Sequence, residues 1–297
     1  MRRPCTEAKG APPPSAARLE AGKAGRQPDE SLERQWERAI AEFGGLLRLT
    51  QLLGRRADEA YRFATIPDRF QSMEEVRQGL RQAGLESSNL IVAVDFTGSN
   101  HVTGRASFGG RCLHDVSGPP NPYQQVMEVV GRTLEPFDDD RVIPAFGFGD
   151  VTTTDKSCFP FRNDRPCHGL QEVLDCYRDV ARAVDLAGPT NFAPVIDRAI
   201  DIVQGCGNQY HILLIVGDGQ VNSEPETVDA IVRASNHPLS IVMVGVGDGP
   251  WEQMRRFDDE LPQRRFDNFQ FVDFGQLQRD IVALKQRCRL PGLSEFI

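Results

Sequence analysis

The chain has 297 residues, 40% hydrophobic and 26% charged, a composition ordinary for a globular protein. Its net charge of −8 speaks against general nucleic-acid binding, for which a basic face is expected. No apolar run approaches the roughly 20 residues of a membrane span, so no transmembrane segment is expected.

Residues 1–30 are rich in Ala, Gly, Pro and Arg, carry no hydrophobic period and read as disordered. The start, Met1-Arg2-Arg3-Pro4, has no apolar core behind it, so no secretory signal is expected, and Glu7 and Glu20 weigh against a transit peptide. Over residues 31–67 a helical extension is expected, with Trp36, Ile40, Phe43, Leu46, Leu47 and Leu53 as its apolar members and a break at Gly44-Gly45. Ser72-Met73-Glu74-Glu75 fits a capping box and opens a helix that Gly84 can close.

Strands and helices then alternate. Strands are expected at Asn89–Asp95, Val142–Phe148, Tyr210–Val216, Leu239–Gly245 and Phe269–Phe274, with a short hairpin edge at Ala106–Leu113. Helices are expected at Pro122–Leu134, Gly169–Val184, Ala193–Gln204, Pro225–Ala234, Trp251–Asp258 and Gln276–Arg287. Continuous apolar strands such as Ile212–Val216 imply burial on both faces, hence parallel strands covered by helices. The expectation is a doubly wound, mainly parallel α/β domain over residues 68–288, followed by a tail at 289–297. The seven cysteines are odd in number, widely separated and without a Cys-x-x-Cys pair. They read as reduced thiols of an intracellular protein, cytoplasmic and/or nuclear.

Five oxygen-bearing side chains fall just past strand ends: Asp95, Thr97 and Ser99 after the first strand, Thr190 in Gly188-Pro189-Thr190-Asn191-Phe192, and Asp218 after Ile212–Gly217. In open α/β sheets ligands bind outside the carboxyl ends of the strands. Carboxylates and hydroxyls gathered there suit a hard cation, Mg²⁺ first, with Mn²⁺ or Ca²⁺ as alternatives. Such a site leaves the ion under-neutralised and keeps an open position that a partner's Asp or Glu can fill. The plain alternative for Asp-x-Thr-x-Ser is a polar turn. Against it stands the arrival of Thr190 and Asp218 at the expected later turns.

Other readings are weaker. Gly147-Phe148-Gly149 and Gly245-Val246-Gly247-Asp248-Gly249 complete no phosphate-binding fingerprint and read as tight turns. Gly-x-Ser-x-Gly is absent. The five histidines show no metal-ligand spacing. His101 lies near the metal loop, where contact with a ligand is conceivable. Asp138-Asp139-Asp140 lacks the Gly and distal Glu of a calcium loop and reads as an exposed acidic turn.

Several segments together resemble the copine-type von Willebrand factor A domains: Val94–Asn100, Asn121-Pro122-Tyr123, Pro144–Gly149, Gly188–Pro194, Asp218-Gly219, Ala234–Ser240 and Val244–Gly247. Within that family the chain looks most like the copine domain of plant-type RING ubiquitin ligases. The pointed matches are Ala83–Ile91, Phe148–Thr153, Gly247–Trp251 and Asp267–Val272. The resemblance implies that Asp95, Thr97, Ser99, Thr190 and Asp218 hold the cation of a metal-ion-dependent adhesion site. It implies a protein-interaction module without catalysis of its own, or the substrate-recruiting part of a ubiquitin ligase with ubiquitin-pathway partners. Calcium-linked phospholipid association is a third implication, although the C2 domains that usually perform it are missing. A RING needs eight Cys/His ligands, and beyond Cys206 there are only His211, His237 and Cys288. No ubiquitin transfer is therefore expected of these residues alone.

Overall fold

The computed structural model describes Gln78 and residues 87–261 and 264–279. The expected N-terminal disorder, the helical extension, the Ser72 capping box and the tail lie outside the described residues. The strands are β1 (Asn89–Asp95), β2 (Val142–Ile143), β3 (Ala145–Phe148), β4 (Cys158–Pro160), β5 (Cys167–His168), β6 (His211–Gly217), β7 (Leu239–Gly245) and β8 (Phe269–Asp273). The helices are α1 (Pro122–Leu134), α2 (Gly169–Ala183), α3 (Ala193–Gly205), α4 (Glu224–Ala234) and α5 (Glu252–Asp259), with short 3₁₀ turns at Gly98–His101 and Glu135–Phe137. Residues 274–279 are helical.

Six strands form one sheet in the order β4-β3-β1-β6-β7-β8, parallel except for β4 at the edge. Alternation along each strand divides the core in two. Leu90, Val92 and Val94 of β1, with Ile212, Leu214 and Val216 of β6, pack under Tyr123, Val126 and Met127 of α1 and Val173 and Tyr177 of α2. Ile91, Ala93, Leu213 and Ile215 face the other way, against Val195, Ile196 and Ala199 of α3, Ile231 of α4 and Phe257 of α5. Both faces of the central strands are thus covered, which is why they are apolar without interruption.

From β1 the chain moves outward to β3 and β4, then returns to the other side of β1 to form β6, β7 and β8. The order reverses between β1 and β6, and a crevice opens at the carboxyl ends there. Among the described residues no helix is long and apolar enough to cross a membrane.

Three expectations need correction. The strand expected over Val142–Phe148 is broken at Pro144, which has no N–H to donate; β2 pairs with β5 and only β3 joins the main sheet. Residues 106–113 form turns rather than a hairpin edge. Gly109 and Gly110 adopt φ of 62° and 75°, and Asp248 accepts the Ala106 and Ser107 N–H groups at 2.9 Å each, folding the segment back on itself. Asp138 is buried, not exposed: its Oδ1 accepts the Arg141 N–H at 3.1 Å, and burial together with Asp140 pushes its carboxyl up to about 6.

Candidate metal centre

Val94 of β1 lies opposite Val216 of β6, so the loops leaving these neighbouring strands begin side by side at the crevice. Asp95 Oδ1 accepts the Thr97 N–H at 2.8 Å, which bends the chain into the 3₁₀ turn at Gly98–His101. Ser99 Oγ donates to Asp218 Oδ1 at 2.8 Å. A serine hydroxyl has one hydrogen, so the 2.9 Å contact between Thr97 Oγ1 and Ser99 Oγ has Thr97 as donor. Thr103 Oγ1 donates to Asp218 Oδ2 at 2.5 Å.

Thr190 arrives by another route. Thr97 bridges to Ala187, and the Gly98 N–H donates to Ala187 O at 2.5 Å. Thr190 O then accepts the Asn222 N–H at 2.8 Å, and the Thr190 N–H donates to Asn222 Oδ1 at 2.9 Å. Asp95, Thr97, Ser99 and Asp218 form one hydrogen-bonded set. Thr190 is held, buried, in the adjoining loop, and among the described residues no hydrogen bond joins it to the other four.

The electrostatics are unusual for a polar turn. Asp95 and Asp218 are each 1% exposed. Burial, and after it the charge of Asp218, raise the Asp95 carboxyl well above the ordinary range. Burial raises Asp218 too, against the lowering effect of the Thr103 and Ser99 hydroxyls. Among the described residues no cationic group lowers either carboxyl. Asp95 Oδ2 is buried and has no hydrogen-bond partner among the described residues. Two buried like charges, one with a bare oxygen, are costly unless a cation compensates them. Carboxylate and hydroxyl oxygens are the donors a hard divalent cation takes. Among the described residues no three His, Cys, Asp or Glu side chains cluster, so a cation here would draw on the hydroxyls as well as the two carboxylates. The residues fit such an ion.

The floor beneath the loop was not legible as part of a site. His114, which lacks ligand spacing in the sequence, is buried between the rings of Phe96 and Tyr123, at centroid distances of 4.6 and 4.1 Å. Its Nε2 lies 2.8 Å from the Asp95 carbonyl, which only accepts, so the proton is on Nε2. Nδ1 then accepts from the Tyr177 hydroxyl at 2.8 Å, and that hydroxyl accepts from Asn121 Nδ2 at 3.0 Å. Asn100 Nδ2 reaches the Asp95 and Thr97 carbonyls at 3.3 and 3.1 Å, while its Oδ1 accepts from Tyr123 at 2.7 Å. Asn121 also caps α1 through a reciprocal box with Gln124. Thr103, His114, Asn100 and Tyr123 therefore belong to the site's support. The nearest sequence signal was a hydroxyl at Thr103, four residues after Ser99. His101 is exposed at the end of the 3₁₀ turn.

Gly149, at φ 82°, forms one wall. A Cβ there would stand 2.4 Å from Thr97 Cγ2 and 3.4 Å from Asp95 Oδ1. Only glycine allows both this backbone and this approach.

The fold is a doubly wound α/β domain that carries acidic and hydroxyl side chains at its switch point. The copine family model matches residues 112–293, and the chain belongs to the copine family. The matched span includes Thr190 and Asp218 and begins past Asp95, Thr97 and Ser99.

The chain is 54% identical over 229 residues to E3 ubiquitin-protein ligase RGLG4 of Arabidopsis thaliana, covering 73% of this chain and 57% of that protein. It is 47% identical over 274 residues to RGLG5 of the same plant, covering 88% and 57%. With Copine family protein 2 of Caenorhabditis elegans it shares 49% identity over 232 residues, 76% of this chain and 3% of the relative. The chain thus spans little more than half the length of the plant relatives. Among solved structures, the manganese-loaded Plasmodium vivax TRAP protein is 15% identical with a TM-score of 0.44, covering 68% of this chain and 72% of that one. At these values the neighbour adds nothing to the topology already described.

Proposed function

We propose that this chain is a divalent-cation-dependent protein-interaction module. In this reading Asp95, Thr97, Ser99, Thr190 and Asp218 hold Mg²⁺, or Mn²⁺ or Ca²⁺ in its place, and a partner's Asp or Glu completes the ion's coordination. The observation that carries the proposal is Asp95 Oδ2, a buried carboxylate oxygen without a hydrogen-bond partner among the described residues, beside a second buried aspartate. When bound, the cation would supply an electrophilic centre for a carboxylate. The chain's own part is to aim hydroxyl and carboxylate oxygens at one point and keep them rigid.

Calorimetry with Mn²⁺ tests the site. Weak binding is expected in the native chain and none in Asp95→Ala, whose fold should survive because Asp95 ends β1 and the substitution removes one turn hydrogen bond rather than apolar core. Unchanged affinity in that variant would remove the assignment. Recognition is tested by capture of partners in Mg²⁺ against EDTA; partners that bind equally in both would point to another surface.

The identity with the plant ligases favours a second, compatible reading, in which the module recruits substrates as part of a ubiquitin ligase. These 297 residues alone should then show no autoubiquitination with activating and conjugating enzymes, because the zinc-built surface of a RING requires closely spaced Cys and His ligands. Chain formation by them would show that a different transfer chemistry is present.

A further inference from the structure

Three large hydrophobic side chains stand exposed among the described residues: Val102 at 47%, Val142 at 37% and Val151 at 58%. Val142 belongs to β2, at the amino ends of the strands. The other two lie at the carboxyl ends, one on each side of the candidate metal centre. Val102 follows the 3₁₀ turn, and its N–H donates to Ser99 O at 2.8 Å. The next residue, Thr103, bonds Asp218. Val151 follows β3 by way of Gly149, whose backbone closes on Thr97. Its N–H donates to Asp185 O at 3.0 Å, in the segment that leads through Ala187 to Thr190. Val102 therefore stands on the Asp218 side and Val151 on the Thr97 and Thr190 side, each tied by its own backbone hydrogen bond.

Both valines sit in turns and leave about half of their surface outside the core. They stand on either side of the point at which the proposed cation would meet a carboxylate. We propose that the module recognises a polypeptide segment that presents an acidic side chain flanked on each side by an apolar one. The carboxylate meets the cation, and the two apolar groups cover Val102 and Val151. The inference rests on the cation reading above and goes beyond it by naming what surrounds the acid.

The chemistry assigns separate roles. Without a cation, Asp95 and Asp218 repel a carboxylate, so apolar contact alone should not hold the segment in EDTA. With it, the carboxylate sets the position and the valines add selectivity. Covering a side chain that is about half exposed should be worth roughly three- to tenfold in affinity for each valine.

The test is selection of short random peptides with a fixed central Asp on the full chain in Mg²⁺, repeated on Val102→Ser and Val151→Ser. The native chain should enrich Val, Leu, Ile, Met or Phe on both sides of the Asp. Each variant should lose the preference on one side and bind the native-selected peptides roughly three- to tenfold more weakly, with its Mn²⁺ affinity unchanged. Enrichment of the acid with no apolar flank, alike in all three proteins, would overturn this inference and leave the cation reading intact. A fall in Mn²⁺ affinity in either variant would also overturn it, because the valine would then be acting through its loop. Peptides that bind equally in EDTA, or no Mg²⁺-dependent peptide at all, would overturn both readings.

Discussion

Asp95→Asn separates what the candidate site costs the fold from what it gives to a ligand. The substituted side chain keeps an oxygen where Asp95 Oδ1 accepts the Thr97 N–H at 2.8 Å, so the turn is retained. It puts an amide nitrogen in place of the buried Oδ2, which has no partner among the described residues, and removes a charge held beside Asp218. The amide nitrogen stays unpaired, but the neutral side chain no longer buries a charge beside a like charge, which relieves about 1–3 kcal/mol. The metal-free variant should therefore be more stable than the native chain by about that amount. For a domain of this size each kcal/mol moves the melting temperature by about 2–4 °C. In a cation the order changes. The native chain at a hundredfold excess of Mg²⁺ over its Kd should gain about 2.7 kcal/mol, and the variant nothing. Thermal or denaturant melts of both proteins, in EDTA and across a Mg²⁺ or Mn²⁺ series, read the two effects separately. A variant less stable than the native chain in EDTA, or one that keeps the full cation response, would refute the reasoning.

Other consequences follow from the floor and wall of the site. Burial pushes His114 down to about 3 from an ordinary 6.5; the unfolded chain thus binds a proton in that window that the folded chain does not. His114 contributes stability in full above pH 6.5 and loses about 1.4 kcal/mol per pH unit as the pH falls towards 3. The stability difference between the native chain and His114→Gln should shrink with that slope on acidification, and a flat difference in denaturant melts would show that His114 is protonated in the fold. Tyr123→Phe removes the donor to the buried Asn100 Oδ1 and should cost about 1–3 kcal/mol in a urea melt, with weaker Mn²⁺ binding because Asn100 holds the Asp95 and Thr97 carbonyls. An unaffected melt would show that water replaces the hydroxyl. Gly149→Ala drives a Cβ to 2.4 Å from Thr97 Cγ2 at a φ of 82° and should cost about 1–3 kcal/mol while lowering Mn²⁺ affinity in calorimetry. Native affinity would place Thr97 outside the site.

Legibility in the sequence followed the physics of each element. β1, β6 and β7 were readable because burial on both faces demands continuous apolar residues, and α1 because Asn121-Pro122 marks a helix start. β4 was not, since a three-residue edge strand flanked by polar turns carries no period. Nor was the break at Pro144 read, because Val142 and Ile143 are as suited to the main sheet as to the ribbon they join. Of the site, the five strand-end oxygens were visible as a pattern, and four of them meet in one hydrogen-bonded set. The support was hidden for a different reason. His114, Tyr177 and Asn121 reach Asp95 from three separate segments, and only the packing of α1 and α2 on β1 makes them neighbours.

That support bears on what the domain contributes to the proteins it occurs in. The Asp95 carbonyl accepts from both His114 and Asn100, and Asn100 is itself held by Tyr123, so the floor of the site is fixed from several directions. The proposed mouth, at Val102 and Val151, is tied by backbone hydrogen bonds to Ser99 and Asp185. Changes in the floor should therefore alter cation affinity whatever the partner, while changes in the mouth should alter the choice of partner at constant cation affinity. Similarity near one half extends to a plant ligase of which the aligned region is 57% and to a nematode copine family protein of which it is 3%. Proteins of such different length share this domain rather than one surrounding architecture. What this chain's domain contributes is thus to be sought in its own chemistry, the buried aspartates and the hydroxyls that Thr97, Ser99 and Thr103 place around them.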